Sequence, residues 1–367
     1  MGMLAAALGE IREKLRQYER VSADEALLLW REGSDAELRE LAQMVRGRFH
    51  GARDCGYMVM RIVNYTNVCV AQCDYCAFYK LPGQAGGYVL SQEQVFAKLD
   101  ELLALGGDLA AFNGGFNPHL PLDYYCDLFR AIRERYGDGL ECYALTVAEF
   151  MYLADHAKLD YAAAAERLKQ AGVRWITGGG SEILTEDFRR RHSKFKYTVA
   201  EYFDAQHAIV AAGLRTTATM VIGFDETIEE RIEHLERTRA FQDELIGVYG
   251  EGNGLASFLC WTYKPYFTQM GGIEIATGEY LRHLALSRIY LDNIPRIRTS
   301  VLTQNERALE GLLYGADDFD LPIEDEVTQK AGATISLNFE RILDVARSLG
   351  FEPSYRHVAQ ATPAQPA

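Results

Sequence analysis

No apolar run in this sequence approaches the roughly 18 residues that a membrane-spanning helix needs, so no membrane segment is expected. Basic residues are in deficit: Lys and Arg number 38 against 52 Asp and Glu, a formal net charge of −14 at pH 7. That balance argues against a nucleic-acid partner, because phosphate backbones are bound by clustered Lys and Arg. Cysteine is sparse and odd in number, with 7 in 367 residues, which does not suit a disulfide framework. The N-terminal segment turns charged at Glu10, so no signal peptide is expected. The expected location is a reducing cytoplasm. No repeat of solenoid length is visible.

Three of the cysteines are not scattered. Cys69, Cys73 and Cys76 lie in the stretch CVAQCDYCAFY, spaced C-x3-C-x2-C. Thiolate is the usual ligand of iron–sulfur clusters, and soft sulfur ligands select them. A trio is one ligand short for a 4Fe–4S cube and leaves an iron open to a small molecule. Two rivals stand beside this reading. Structural zinc normally closes four ligands, and no His-x3–5-His completes a set nearby. A redox pair needs only C-x-x-C, which leaves Cys69 unexplained. Cys55, Cys126, Cys142 and Cys260 are separate and read as small buried hydrophobes.

Around the cysteines, strand and helix patterns alternate. Residues 4–50 read as an N-terminal helical extension, with Ser22 and Glu25 as a capping box. β-rich runs follow at 57–65, 109–115, 140–146, 173–180, 214–224, 254–263 and 297–303, with a short eighth near 317–321. Helical patterns lie between them, several opened by capping boxes such as Thr146 with Glu149, Thr198 with Glu201 and Thr227 with Glu230. This alternation predicts an α/β fold, a (β/α)8 TIM-type barrel over 51–350. The segment 303–316 reads as a helix, and 351–367 reads as a disordered tail. Right-handed crossovers place every strand-to-helix loop at one face, where such barrels carry their chemistry. The cysteine loop therefore shares a mouth with the loops after the other strands. In that mouth Thr146 is either a helix cap or a substrate contact.

The cysteine spacing resembles that of the radical S-adenosylmethionine (SAM) enzymes. From residue 50 to 350 the chain resembles a narrower group, the futalosine-pathway enzymes of menaquinone synthesis and their deazaflavin-forming relatives. The likeness is carried by residues 64–80, 113–125, 178–184, 216–223, 229–244, 258–265 and 279–294. The chain departs from the group's usual QGG, PGGGAE and YGH with NGG, TGGGSE and IGF, all in loops near the substrate.

The resemblance implies a 4Fe–4S cluster on Cys69, Cys73 and Cys76, with SAM on the open iron. It places Tyr75 near the adenine, Gly114 and Gly115 beside the methionine part, and Ile222 against the base, where barrel core is the alternative. Glu182 can accept from both ribose hydroxyls, or can simply favour the start of a helix. For a small nucleoside substrate, Tyr143, Thr146, Trp261 and Arg298 are the expected contacts, with Tyr263 beside them. Arg298 would grip a benzoate carboxylate through a bidentate fork, or form a surface salt bridge. Asp225, Glu226 and His119 are candidate bases. A reducing partner such as flavodoxin or ferredoxin is also implied. Within the group, the segment with Trp261 favours the enzyme that cyclises dehypoxanthine futalosine. Aminofutalosine synthase and a deazaflavin chromophore synthase remain alternatives, and outside the group a non-enzymatic iron–sulfur carrier.

Overall fold

The structure is a computed structural model that describes residues 2–193 and 196–358. Its strands are β1 (Asp54–Val63), β2 (Leu109–Phe112), β3 (Glu141–Thr146), β4 (Trp175–Thr177), β5 (Thr216–Ile222), β6 (Leu255–Thr262), β7 (Ile297–Thr299), β8 (Asp318–Pro322) and β9 (Glu352–Tyr355). The first eight run in the order β4-β3-β2-β1-β8-β7-β6-β5, and every pair is parallel. A parallel bridge between Trp175 and Arg215 joins the two ends of this order. There Ile176 N donates to Arg215 O at 3.0 Å, and Arg215 N donates to Arg174 O at 2.8 Å. The result is a nearly closed α/β barrel of the TIM type.

Local sequence explains why the crossovers are helical. Ser91, Thr146, Thr198 and Thr227 each accept from the third helical residue, whose side chain reaches back to the cap's own N–H. Orphan donors at each helix start are thereby satisfied. The helices they open are Gln92–Ala104, Val147–Ala157, Val199–Ala211 and Ile228–Tyr249. Strand side chains alternate between two cores. Met58, Met60, Ile62, Leu109, Tyr143, Trp175 and Leu302 fill the barrel interior, while a larger apolar layer joins strands to helices.

Two sequence expectations need correction. The segment 303–316 is not one helix. A short helical turn ends at Gln304, and Asn305–Tyr314 winds as 3-10. Asn305 sits at φ 52°, and this left-handed residue interrupts the α-helical ladder. The tail is not unstructured from residue 351. β9 pairs with the first residues of β1, Arg356 N donates to Tyr57 O at 2.8 Å, and Val358 packs among the interior side chains. Residues 359–367, the rest of that expected tail, lie outside the described residues.

Of the N-terminal helices Gly2–Arg16, Ala23–Glu32 and Asp35–Arg46, the second packs on the helices Ile228–Tyr249 and Thr277–Tyr290, and the third on Thr277–Tyr290 and Asn305–Tyr314. Buried Arg46 ties them down, donating to Ala316 O at 3.1 Å and Gly51 O at 2.9 Å. Among the described residues no helix is long and apolar enough to cross a membrane.

Two histidines in the helical layer make the fold acid-sensitive. Burial holds His234 down to about 3, and holds His283 well below its ordinary value. Both are neutral when folded and take a proton when unfolded once the pH falls below about 6.5. Unfolding is therefore favoured from pH 6.5 downward, by about 1.4 kcal/mol per pH unit for each histidine. Urea titrations at pH 7 and pH 5 are expected to show this loss, with a smaller one in His283→Asn. An equal pH dependence in that variant would contradict the assignment.

Candidate active site

β1 leads directly into the cysteine loop at the C-terminal mouth. Backbone bonds hold the loop in place: Cys69 N donates to Lys80 O at 2.9 Å, Val70 N to Phe116 O at 3.1 Å, and Cys76 N to Cys73 O at 3.1 Å. Gln72 turns the chain at φ 49°. The Cys69 sulfur accepts from Ala71 N at 3.4 Å and from Phe116 N at 3.2 Å. Such N–H donors suit a sulfur that carries charge. Burial pushes all three thiols up, Cys76 to about 11; neighbouring sulfurs add to the rise at Cys69 and Cys76, while at Cys73 Lys196 acts against it.

Among the described residues, no group of three or more His, Cys, Asp or Glu is placed to hold one metal ion. A closed zinc site needs four ligands on one ion, whereas a cube takes each thiolate on a different iron. The other cysteines are free and buried in the helix-facing core, where burial raises Cys55 and Cys142 to about 12. They supply no fourth sulfur, so the donor set fits a cube with an open iron.

Gly114 and Gly115 are needed by the protein itself. A Cβ on Gly114 would lie 2.5 Å from the Tyr65 ring, and one on Gly115 would lie 2.2 Å from Val68 O and 2.7 Å from Cys69 Cβ. The loop after β2 thus packs flat against the cysteine loop because it has no side chains there. Gly114 N also donates to Oε1 of the buried Glu149 at 2.7 Å, the same oxygen to which Tyr65 Oη donates at 2.6 Å. Thr146 accepts from Glu149 N at 3.1 Å, so the cap is its observed role.

Tyr75 and Glu182 are brought together by a residue that sequence reasoning missed. Lys196 Nζ donates to both Glu182 oxygens, at 2.9 and 3.0 Å, and to Tyr75 Oη at 3.0 Å. Burial alone would lower the Lys196 pKa, but Cys73 and Glu182 outweigh it and the net shift is upward. Glu182 takes an uncommon left-handed φ of 41°. Lys196 was hard to find because it ends a basic stretch, 189–196, with no spacing rule to choose among its cations.

Ile222 is corrected. Strand alternation turns its side chain into the helix-facing core. The ring beside Tyr75 is Phe224, at 5.3 Å between centroids, which in turn meets Tyr263 at 4.6 Å. Tyr143 and Trp261 do face the barrel interior, and the buried Trp261 Nε1 has no hydrogen-bond partner.

Arg298 is neither an open fork nor a surface charge. Its Nη2 donates to buried Asp320. Glu226 is likewise sealed off, accepting from Gly223 N, Phe224 N and Arg231. Asp225 is held by His192 at 2.8 Å and Arg191 at 3.2 Å. Burial would raise its pKa, but these two partners lower it on balance. His119 is exposed.

Comparison with known proteins agrees with this geometry. Residues 63–238 match the model of the radical SAM superfamily, and residues 252–365 match that of the CofH/MqnC C-terminal region. Cyclic dehypoxanthine futalosine synthase of Halalkalibacterium halodurans is 36% identical over 349 residues, covering 94% of this chain and 92% of that protein. The chain belongs to the radical SAM superfamily. Aminodeoxyfutalosine synthase of Thermus thermophilus is 34% identical, covering 88% of this chain and 86% of its own. The crystal structure of methylornithine synthase matches this radical SAM fold with a TM-score of 0.70 at 15% identity, over 95% of this chain and 98% of that one. Together with the futalosine synthase relatives, membership indicates an enzyme that joins carbon to carbon by radical chemistry, and it implies a 4Fe–4S cluster and SAM.

Proposed function

We propose that this radical SAM enzyme cyclises dehypoxanthine futalosine in menaquinone synthesis. The observation that carries the reading is the trio of Cys69, Cys73 and Cys76 at the barrel mouth, with no fourth cysteine beside it. The choice of substrate is supported by the 36% identity to a protein of that name. Cys69, Cys73 and Cys76 would hold the cube, Glu182 and Tyr75 would hold SAM, and Lys196 would hold those two side chains in place. Bound together, cluster and cofactor supply a 5′-deoxyadenosyl radical that takes hydrogen from carbon.

The chain's own residues then have three tasks. Glu182 offers lone pairs beyond those that Lys196 uses, enough to accept from a ribose diol. Tyr143 and Trp261 give the interior flat apolar walls and, at Trp261 Nε1, a free donor for a substrate oxygen. The closed barrel keeps water from a reactive carbon centre. In the substrate, the ribose 4′ carbon loses its hydrogen and closes onto the benzoate ring. Aromaticity would return on loss of a proton to a base and of an electron to the cluster, which has one electron fewer after SAM cleavage. Both reacting carbons belong to one bound molecule, so closure gains from proximity.

The reading as an aminodeoxyfutalosine synthase is favoured by somewhat lower identities, 34% to the Thermus protein and 30% to one of Streptomyces coelicolor. Product analysis separates the two. The reconstituted enzyme, given SAM and a low-potential reductant, is expected to convert dehypoxanthine futalosine to a product lighter by a hydrogen atom, a proton and an electron. With an enolpyruvyl benzoate it is expected to form no adduct. Adduct formation without cyclisation would overturn the assignment.

A further inference from the structure

The end of the helix Glu186–His192 and the next residue, Ser193, each touch the cysteine loop. His192 Nδ1 lies 2.9 Å from Asp74 Oδ2, and its Nε2 lies 2.8 Å from Asp225 Oδ1. Ser193 Oγ is 3.1 Å from Tyr75 Oη. Asp74 and Tyr75 are the two residues that separate Cys73 from Cys76. The Asp74 carbonyl also accepts from Met270 N at 2.9 Å, while its other carboxylate oxygen is buried without a partner. Carboxylates accept and do not donate, so a ring nitrogen that bonds either carboxylate does so as the donor. The imidazole thus spans from the cysteine loop to the loop after β5, with its side chain only 10% exposed.

We propose that His192 is a positioning residue for the SAM end of the cluster site. It clamps Asp74, and through Asp74 the backbone between the second and third cysteines, against the loop after β5. Without the ring, the Asp74 carboxylate loses its donor beside three sulfur ligands. The loop then has reason to turn that charge toward water, and Tyr75, the next residue, moves with it. Three thiols still meet three irons, so assembly survives while the fit of SAM to the open corner does not. This rests on the cluster reading above.

The test uses the full chain, reconstituted without oxygen, as wild type, His192→Ala, Asp74→Ala and the double variant. Iron content reports the cluster. The SAM dissociation constant is read from the SAM-induced change in the electron paramagnetic resonance spectrum of the reduced cluster. Each single variant is expected to keep its iron and to bind SAM roughly 10-fold more weakly. The double variant is expected to be no weaker than either single one, because both changes break the same clamp. Wild-type affinity in His192→Ala, or losses that multiply in the double variant, would overturn the proposal. Should His192→Ala fail to fold, His192→Gln carries the test. Gln can donate to Asp74 but cannot span to Asp225, so intermediate affinity is expected and an unchanged one counts against the clamp. Wild-type protein that takes up no iron would sink the cluster reading itself.

Discussion

Cys73→Ala is expected to abolish reductive cleavage of SAM, a loss of at least about 1000-fold, or roughly 4 kcal/mol of barrier. The size follows from the ligand count. The trio has no spare member, and the other cysteines sit in the helix-facing core. Two thiolates cannot hold the cube, and no neighbouring side chain of comparable softness replaces the third. Chromatographic measurement of 5′-deoxyadenosine after addition of SAM and dithionite checks this. Cys142→Ala is the matched control. It removes an equally buried sulfur from the core, and it is expected to keep cleavage. Cleavage by Cys73→Ala at the wild-type rate would refute the ligand assignment.

The second large effect concerns Glu182. Glu182→Gln is expected to weaken SAM binding by at least roughly 10-fold while iron content stays unchanged. Two causes have to be separated. The substitution removes an acceptor for the ribose hydroxyls, and it also leaves the buried Lys196 ammonium without its counter-charge, which is costly in itself. Lys196→Met restores charge balance in the Glu182→Gln background. If Glu182 touches the ribose, the double variant still binds SAM poorly. Full recovery of affinity in the double variant would show that the carboxylate serves Lys196 alone.

The barrel was legible because its signals are local. Capping boxes such as Thr227 with Glu230 span four residues, and the β-rich runs between helices need only their own neighbours to be seen. The cysteine trio is legible for the same reason. What escaped depends on distant partners. His192 meets Asp74 across 118 positions, and Lys196 meets Tyr75 across 121. Arg298 reads as a free cation until Asp320 on the adjacent strand is placed beside it. β9 shows the limit of composition. Its four residues, EPSY, bury little and read as tail. They form a strand because the first residues of β1 offer an unpaired edge below the start of β2. Gly114 and Gly115 were found as a motif, but their contacts with Tyr65 and Cys69 belong to tertiary packing, which a motif does not carry.

The central claim is an iron–sulfur cube held by three thiolates with its fourth iron free for SAM. It is tested most directly by reconstituting the wild-type chain anaerobically and adding SAM with dithionite. The expected result is about four irons per chain, a cluster signal that SAM shifts, and 5′-deoxyadenosine as product. A colourless protein carrying zinc, or a loaded cube whose spectrum ignores SAM and yields no 5′-deoxyadenosine, would contradict it.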